Sequence, residues 1–159
     1  MRPLLFLYFA IFMLVSCRNH ASPEGNTPAQ ANQTSTSSGQ PPADFEAFYE
    51  KFHQDSLFQM AHIIWPVQGR KTMTSADSSA SQVVVHLWTP EEWVMHHPID
   101  YSDGYYAREI QMLGDMIVIE RVRNKTVNYG LERRFARQSD TGEWALIYYA
   151  DMQEMGSGR

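Results

Sequence analysis

The 159-residue chain has one cysteine, Cys17, so it can form no internal disulfide and no cysteine-rich zinc site. Basic residues are sparse: 13 Lys and Arg against 18 Asp and Glu leave a formal charge of −5. Without a basic run there is no footprint for nucleic acid, and no electrostatic pull toward anionic lipid. No apolar run reaches the roughly twenty residues a membrane-spanning helix needs. G-x-S-x-G, P-loop, dinucleotide, HxxxH and His-x-His patterns are all missing. That removes the motif-bearing hydrolases, nucleotide enzymes and zinc sites, and no cofactor or metal is expected. The adjacent pair His96-His97 does not change this, since neighbours on a helix point about 100° apart. The nine Met are unclustered and read as core filling.

What is present begins at the N-terminus. Arg2 precedes an unbroken apolar run, Leu4 to Val15, of signal-peptide length. It ends in Leu14-Val15-Ser16-Cys17, which matches the bacterial lipobox. Small residues admit the peptidase, and the Cys17 thiolate takes up diacylglycerol before cleavage. The expectation is a signal peptide over 1–16 and a membrane anchor at Cys17. Residues 17–43 are rich in Ser, Thr, Asn, Gln, Pro and Gly, with no aromatic or large aliphatic side chain. Such a segment cannot bury enough apolar surface to order itself, and as a coil it spans roughly 25–30 Å. It reads as a tether in the cell envelope. Arg18-Asn19-His20 follows Cys17, where some surface-exported lipoproteins of gut-type bacteria carry acidic residues, so a periplasm-facing outer-membrane location is expected.

One domain is expected over 44–153, with a disordered tail over 154–159. Asp44 is an N-cap candidate. Phe45, Phe48, Tyr49 and Phe52 then fall at i, i+3, i+4 and i+7, an aromatic stripe that packs on a sheet more readily than it serves a ligand. Asp55-Ser56 restarts a short helix, and Ile63-Ile64-Trp65 is extended up to Pro66, which belongs at an edge or strand end. Gly69 to Gln82 reads as a long loop with a ragged strand near Lys71-Thr72-Met73, and Arg70-Lys71 as a solvated basic pair. Val83 to Trp88 reads as a covered strand, and Thr89-Pro90-Glu91-Glu92 as the start of a helix carrying Trp93 and Val94.

Tyr105 to Met152 alternates as a four-stranded antiparallel meander. A turn at Ser139-Asp140-Thr141-Gly142 sets Phe135 against Leu146, Leu131 against Ala150 and Arg133 against Tyr148. A two-residue turn at Asn124-Lys125 sets Val118 against Leu131 and Glu120 against Tyr129. A turn at Leu113-Gly114-Asp115 sets Arg108 against Glu120. Alternation thus places Glu120 and Arg133 on the apolar face, where unpaired charge is costly. In this register they lie four residues apart along neighbouring strands, roughly 13 Å. The expectation is that Arg133, Tyr129, Tyr148, Glu120 and Arg108 line a pocket for an acidic or polar ligand, with a structural ion pair as the bland alternative. His53, two residues before Asp55, is a candidate general base or a plain helix-end residue. Ile117, Ile119, Ile147 and Tyr149 point to the opposite face, a candidate homodimer surface.

The order of elements, closing on Gly142-x-Trp144-x-Leu146, resembles the cone-shaped α+β fold of the nuclear-transport-factor-two-like and cystatin-like proteins, with helices packed on a curved antiparallel sheet. Phe45-x-x-Phe48, Phe52, Asp55-Ser56-x-Phe58-Gln59, Ile63, Pro66 and Gly69 further resemble a family of bacterial lipoproteins of unknown function numbered 4348. The resemblance brings no catalytic residues. The superfamily it resembles includes isomerases, dehydratases and binding modules, so the fold does not choose among them. Because the sequence offers no convincing acid–base pair, a noncatalytic binding module for a small ligand or an envelope protein is expected, with a pocket isomerase or hydrolase as the alternative.

Overall fold

The computed structural model describes residues 36–37, 40–74 and 81–155. Cys17, the expected signal peptide, most of the expected tether and residues 156–159 lie outside the described residues. Two helices, α1 (Ala43–Gln54) and α2 (Ser56–Ala61), are followed by six long strands. These are β2 (Ile63–Thr74), β3 (Ser81–Trp88), β4 (Tyr106–Leu113), β5 (Ile117–Asn124), β6 (Tyr129–Arg137) and β7 (Trp144–Glu154), preceded by the two-residue β1 (Thr36–Ser37). The sheet order is β1-β4-β5-β6-β7-β2-β3. Only β2 and β7 run parallel among these pairs. The architecture is α+β, helices on a curved sheet. Two residues assigned to the tether, Thr36 and Ser37, pair with Met112 and Leu113 of β4.

The aromatic stripe of α1 fills the concave face. Phe45 and Phe52 are buried completely, each with its ring 5.4 Å from Phe135 of β6, and Phe45 also lies 5.1 Å from Trp144 of β7. Burying three such Phe side chains is worth roughly 5–9 kcal/mol in transfer terms. Asp44 does not cap the helix, which starts at Ala43 after Pro42. Its carboxylate instead accepts from Arg137 Nη2 at 2.5 Å and Trp144 Nε1 at 3.3 Å. Asp55 does cap α2, its Oδ1 accepting from the amides of Leu57 and Phe58, both at 3.0 Å.

Several local expectations are corrected. Gly69 to Gln82 is not a long loop: β2 runs on to Thr74 and pairs with β3 from Val67↔Trp88 to Thr74↔Ser81. Pro66 lies inside an interior strand, where the β2–β7 pairing breaks between Ile63 and Gln68, because proline has no N–H to give to a ladder. β3 is an edge strand with an open face: Val85 is 85% exposed. No helix follows Thr89. Glu92 reaches back to the Thr89 amide at 3.1 Å, but burial of Trp93 and capture of the His96 amide by Gln59 extend the chain instead.

The meander keeps its faces but not its partners. The β5–β6 connection is longer than two residues, because Asn124 Oδ1 accepts from the amides of Thr126 (2.9 Å) and Val127 (3.4 Å), an Asx-type turn that ends β5. Glu120 therefore faces Arg133, and Val118 faces Phe135. Arg108 stands opposite Val122 instead of Glu120. Phe135 does face Leu146, but β7 then carries an extra residue, so Arg134 meets Tyr148 and Arg133 meets Tyr149. This bulge turns Tyr149 inward and Tyr148 outward, the reverse of strict alternation. On the outer face Ile119 is buried, and Arg121, Glu132 and Arg134 form ion pairs.

Candidate functional site

The inner face holds two distinct polar arrangements. The first is a closed charge network under α1. Glu120 and Arg133 are 0% and 1% exposed. Arg133 Nε donates to Glu120 Oε2 at 2.7 Å, its Nη1 contacts His53 Nε2 at 2.7 Å, and its Nη2 donates to the Tyr49 hydroxyl at 3.3 Å. The other carboxylate oxygen of Glu120 accepts from the Tyr49 hydroxyl and from Arg108 Nε at 2.9 Å. Arg108 stacks its guanidinium over the Tyr49 ring at 4.0 Å and also meets Glu46 at 3.4 Å.

The protonation states follow from the contacts. His53 Nδ1 lies 2.8 Å from the Tyr49 carbonyl, which can only accept, so the proton sits on Nδ1 and Nε2 accepts from Arg133. Burial, then the Arg133 charge, push the His53 pKa down to about 4. Burial alone would raise Glu120, but Arg133, the Tyr49 hydroxyl and Arg108 outweigh it and hold the carboxyl below its usual range. Burial, assisted by Glu120, pushes the Tyr49 phenol upward. Glu120 is thus a saturated carboxylate and His53 a neutral, doubly engaged imidazole. Two buried donors beside them, Arg108 Nη2 and the Tyr101 hydroxyl, have no partner.

Three of the five pocket residues expected from sequence therefore meet: Arg133, Glu120 and Arg108. Tyr129 and Tyr148 do not join them. Tyr129 pairs with Glu154 at the far end of β6 and is exposed. Tyr148 lies on the outer face under Arg134, 4.3 Å from ring to guanidinium. Both misplacements come from the turn and the bulge described above.

The second arrangement is an open cleft of about 320 Å³ between β2, β3, β7 and the segment after β3, lined by Trp88, Trp93, His96, Tyr149, Lys71, Glu92, Val94 and Asp151. That is within the size range of small-molecule sites. Its walls are built deliberately. The Trp88 indole crosses β2 above Gly69 and donates to the Tyr149 carbonyl at 3.1 Å. A Cβ at Gly69 would sit 1.7 Å from that carbonyl oxygen and 3.0 Å from the indole nitrogen. Buried Gln59 fixes the opposite wall. Its Oε1 accepts from Trp93 Nε1 (3.1 Å) and the His96 amide (2.9 Å), and its Nε2 donates to the carbonyls of Phe52 (2.7 Å) and His96 (2.8 Å). The amide makes four bonds, its full capacity. The rings of Trp88, Trp93 and His96 lie 5.1, 5.4 and 4.6 Å from Tyr149.

Charge stands at the rim. Glu92 Oε1 lies 2.8 Å from His86 Nε2, and Lys71 Nζ lies 3.7 Å from Glu92 Oε2 and 4.9 Å above the Trp88 ring. Lys71 is not the solvated lysine expected from sequence. Burial, then the Arg133 charge, hold His96 well below the ordinary histidine range, so it is neutral, and its Nδ1 is buried with no partner. Sequence reasoning missed this cleft. Its one legible signal was Gly69 in a run of strand formers, since an interior strand glycine marks a close backbone approach. Among the described residues no group of three or more His, Cys, Asp or Glu is placed to hold a metal.

The fold is cystatin-like. A cystatin-like protein from Bacteroides caccae superposes with a TM-score of 0.51 at 18% identity, over 70% of this chain and 77% of that one. A nuclear-transport-factor-two-like protein from Bacteroides fragilis gives 0.49 at 18% identity over 71% of this chain, which spans 48% of its length. No family model matches the sequence, nor does any curated protein.

Proposed function

We propose that the chain is a noncatalytic small-ligand binding domain, held to the cell envelope by lipid on Cys17 and facing the periplasm, with the aromatic cleft as its binding site. The observation that carries the reading is the division of the inner face into a closed network and an open cleft. Within the closed network, an isomerase or hydrolase would need an acid or base free to exchange a proton. Glu120 has both oxygens engaged, and His53 has both nitrogens engaged. The cleft, in contrast, offers aromatic faces and carboxylates at an accessible rim. A second reading rests on the unpartnered Arg108 Nη2 and Tyr101 hydroxyl, which would receive an anion beside Glu120.

A screen of small metabolites against the full chain in detergent, read by indole and arginine side-chain NMR, separates the two. The cleft reading expects saturable shifts of the Trp88 and Trp93 indole signals. Hits that move Arg108 and leave the indoles still would transfer the site to the second position. For the anchor, Cys17→Ala is expected to release the protein from the membrane fraction or stall its processing. A wild-type N-terminal peptide without lipid mass would remove that part of the proposal.

A further inference from the structure

The cleft already contains a cation, and that cation belongs to the protein. Lys71 Nζ lies 4.9 Å above the Trp88 ring and 3.7 Å from Glu92, the arrangement by which an ammonium is attracted to an aromatic face and a carboxylate together. Its side chain remains 35% exposed, so it can swing out into water. We propose that the cleft takes a small primary ammonium ligand, which displaces Lys71 from the face of Trp88. The inference rests on the cleft being the ligand site.

The remaining groups suit an ammonium better than an anion or a neutral polyol. Glu92 spends Oε1 on His86 and the Thr89 amide, and among the described residues no hydrogen bond reaches its Oε2. Asp151 spends Oδ1 on the Met152 amide and the Tyr149 hydroxyl, and its Oδ2 is likewise unclaimed among them. Two carboxylates that line the cleft therefore each keep an oxygen free of hydrogen bonds among the described residues. Neutral His96 contributes a buried Nδ1 with no partner, which in the Nε2-protonated tautomer accepts an N–H. Acceptors on residues that line one aromatic cleft suit an R–NH3+ group, which has three donors and no acceptor. Lys71 would repel that charge only while it stays, and moving it into water costs little for a pair whose side chains are 35% and 32% exposed.

The test titrates the full chain in detergent with n-butylammonium, with methyl glucoside as the neutral polyol and with butyrate as the anion, following the Trp88 and Trp93 indole signals. Butylammonium is expected to shift both saturably. Lys71→Met is expected to tighten it about fivefold by removing the internal competitor, while Glu92→Gln and Asp151→Asn each weaken it about threefold or more. Asp151→Asn serves as the independent arm, since Glu92 also holds the Thr89 amide. If methyl glucoside or butyrate moves the indoles and butylammonium does not, even in Lys71→Met, the cleft stands as a site and the ammonium assignment is overturned. If no compound of the three classes or of the metabolite screen moves the indoles, both readings fail together.

Discussion

Removing the Arg133 guanidinium would leave the Glu120 carboxylate buried beside α1 with only Arg108 and Tyr49 to hold it. Arg133→Met is therefore expected to destabilise the domain by about 3 kcal/mol or more. Adding Glu120→Leu should recover most of that loss, because a buried ion pair is exchanged for apolar packing. Urea denaturation of the single and double variants measures both. A single variant as stable as wild type would show that Arg133 faces a ligand site and not the scaffold. The histidine beside it sets an acid limit. With a folded pKa of about 4 against the ordinary 6.5, His53 stays neutral while the unfolded chain protonates. Below pH 6.5 the unfolded state thus binds more protons, and stability falls as pH falls. His53 alone accounts for roughly 2.5 kcal/mol between pH 7.5 and 4.5, with His96 acting in the same direction. His53→Gln should flatten that profile, and an unchanged slope would refute the assignment. At this scale the sequence was informative: Glu120 and Arg133 stand out as charges on an apolar face. It could not name their partners, because partnership depends on register.

The parallel pairing of β2 with β7 depends on one residue without a side chain. Gly69→Ala places a methyl 1.7 Å from the Tyr149 carbonyl oxygen, so the two strands must part or the Trp88 bond must break. A loss of about 3 kcal/mol, or failure to fold, is expected. A change below about 0.5 kcal/mol on chemical denaturation would contradict the description of the cleft wall. The antiparallel meander shows how much of an element can be read locally. Alternation is a period of two, so a register error of four on β5–β6 or two on β4–β5 leaves every face correct and every partner wrong. An odd error reverses faces, as the bulge in β7 does for Tyr148 and Tyr149. Long β2 was hidden because its second half, Arg70-Lys71-Thr72-Met73-Thr74, is polar, and it is held by β3 on one side and, at Arg70 alone, by the last pair of the β7 ladder on the other.

Across the whole molecule the sheet ends in β3, where among the described residues no strand pairs on the outer side. Val83, Val85 and Leu87 are exposed along it, an unguarded edge of the kind that favours aggregation. Val85→Lys is expected to slow aggregation, measured by turbidity on warming, with stability changed by less than about 0.5 kcal/mol. Faster aggregation in that variant would mean the edge is already covered. The sequence by itself determined the α+β class, the aromatic face of α1, the helix restart at Asp55-Ser56, the Phe135–Leu146 register and the inward placement of Glu120 and Arg133. These follow from spacing along the chain, which period and turn chemistry encode within a few residues. Only the tertiary structure decided that Glu120 meets Arg133, that Tyr149 replaces Tyr148, and that Trp88, Trp93, His96 and Lys71 gather in one cleft. Those meetings depend on loop length, bulges and a glycine slot between distant strands, whose energies are settled by packing and not by any local pattern.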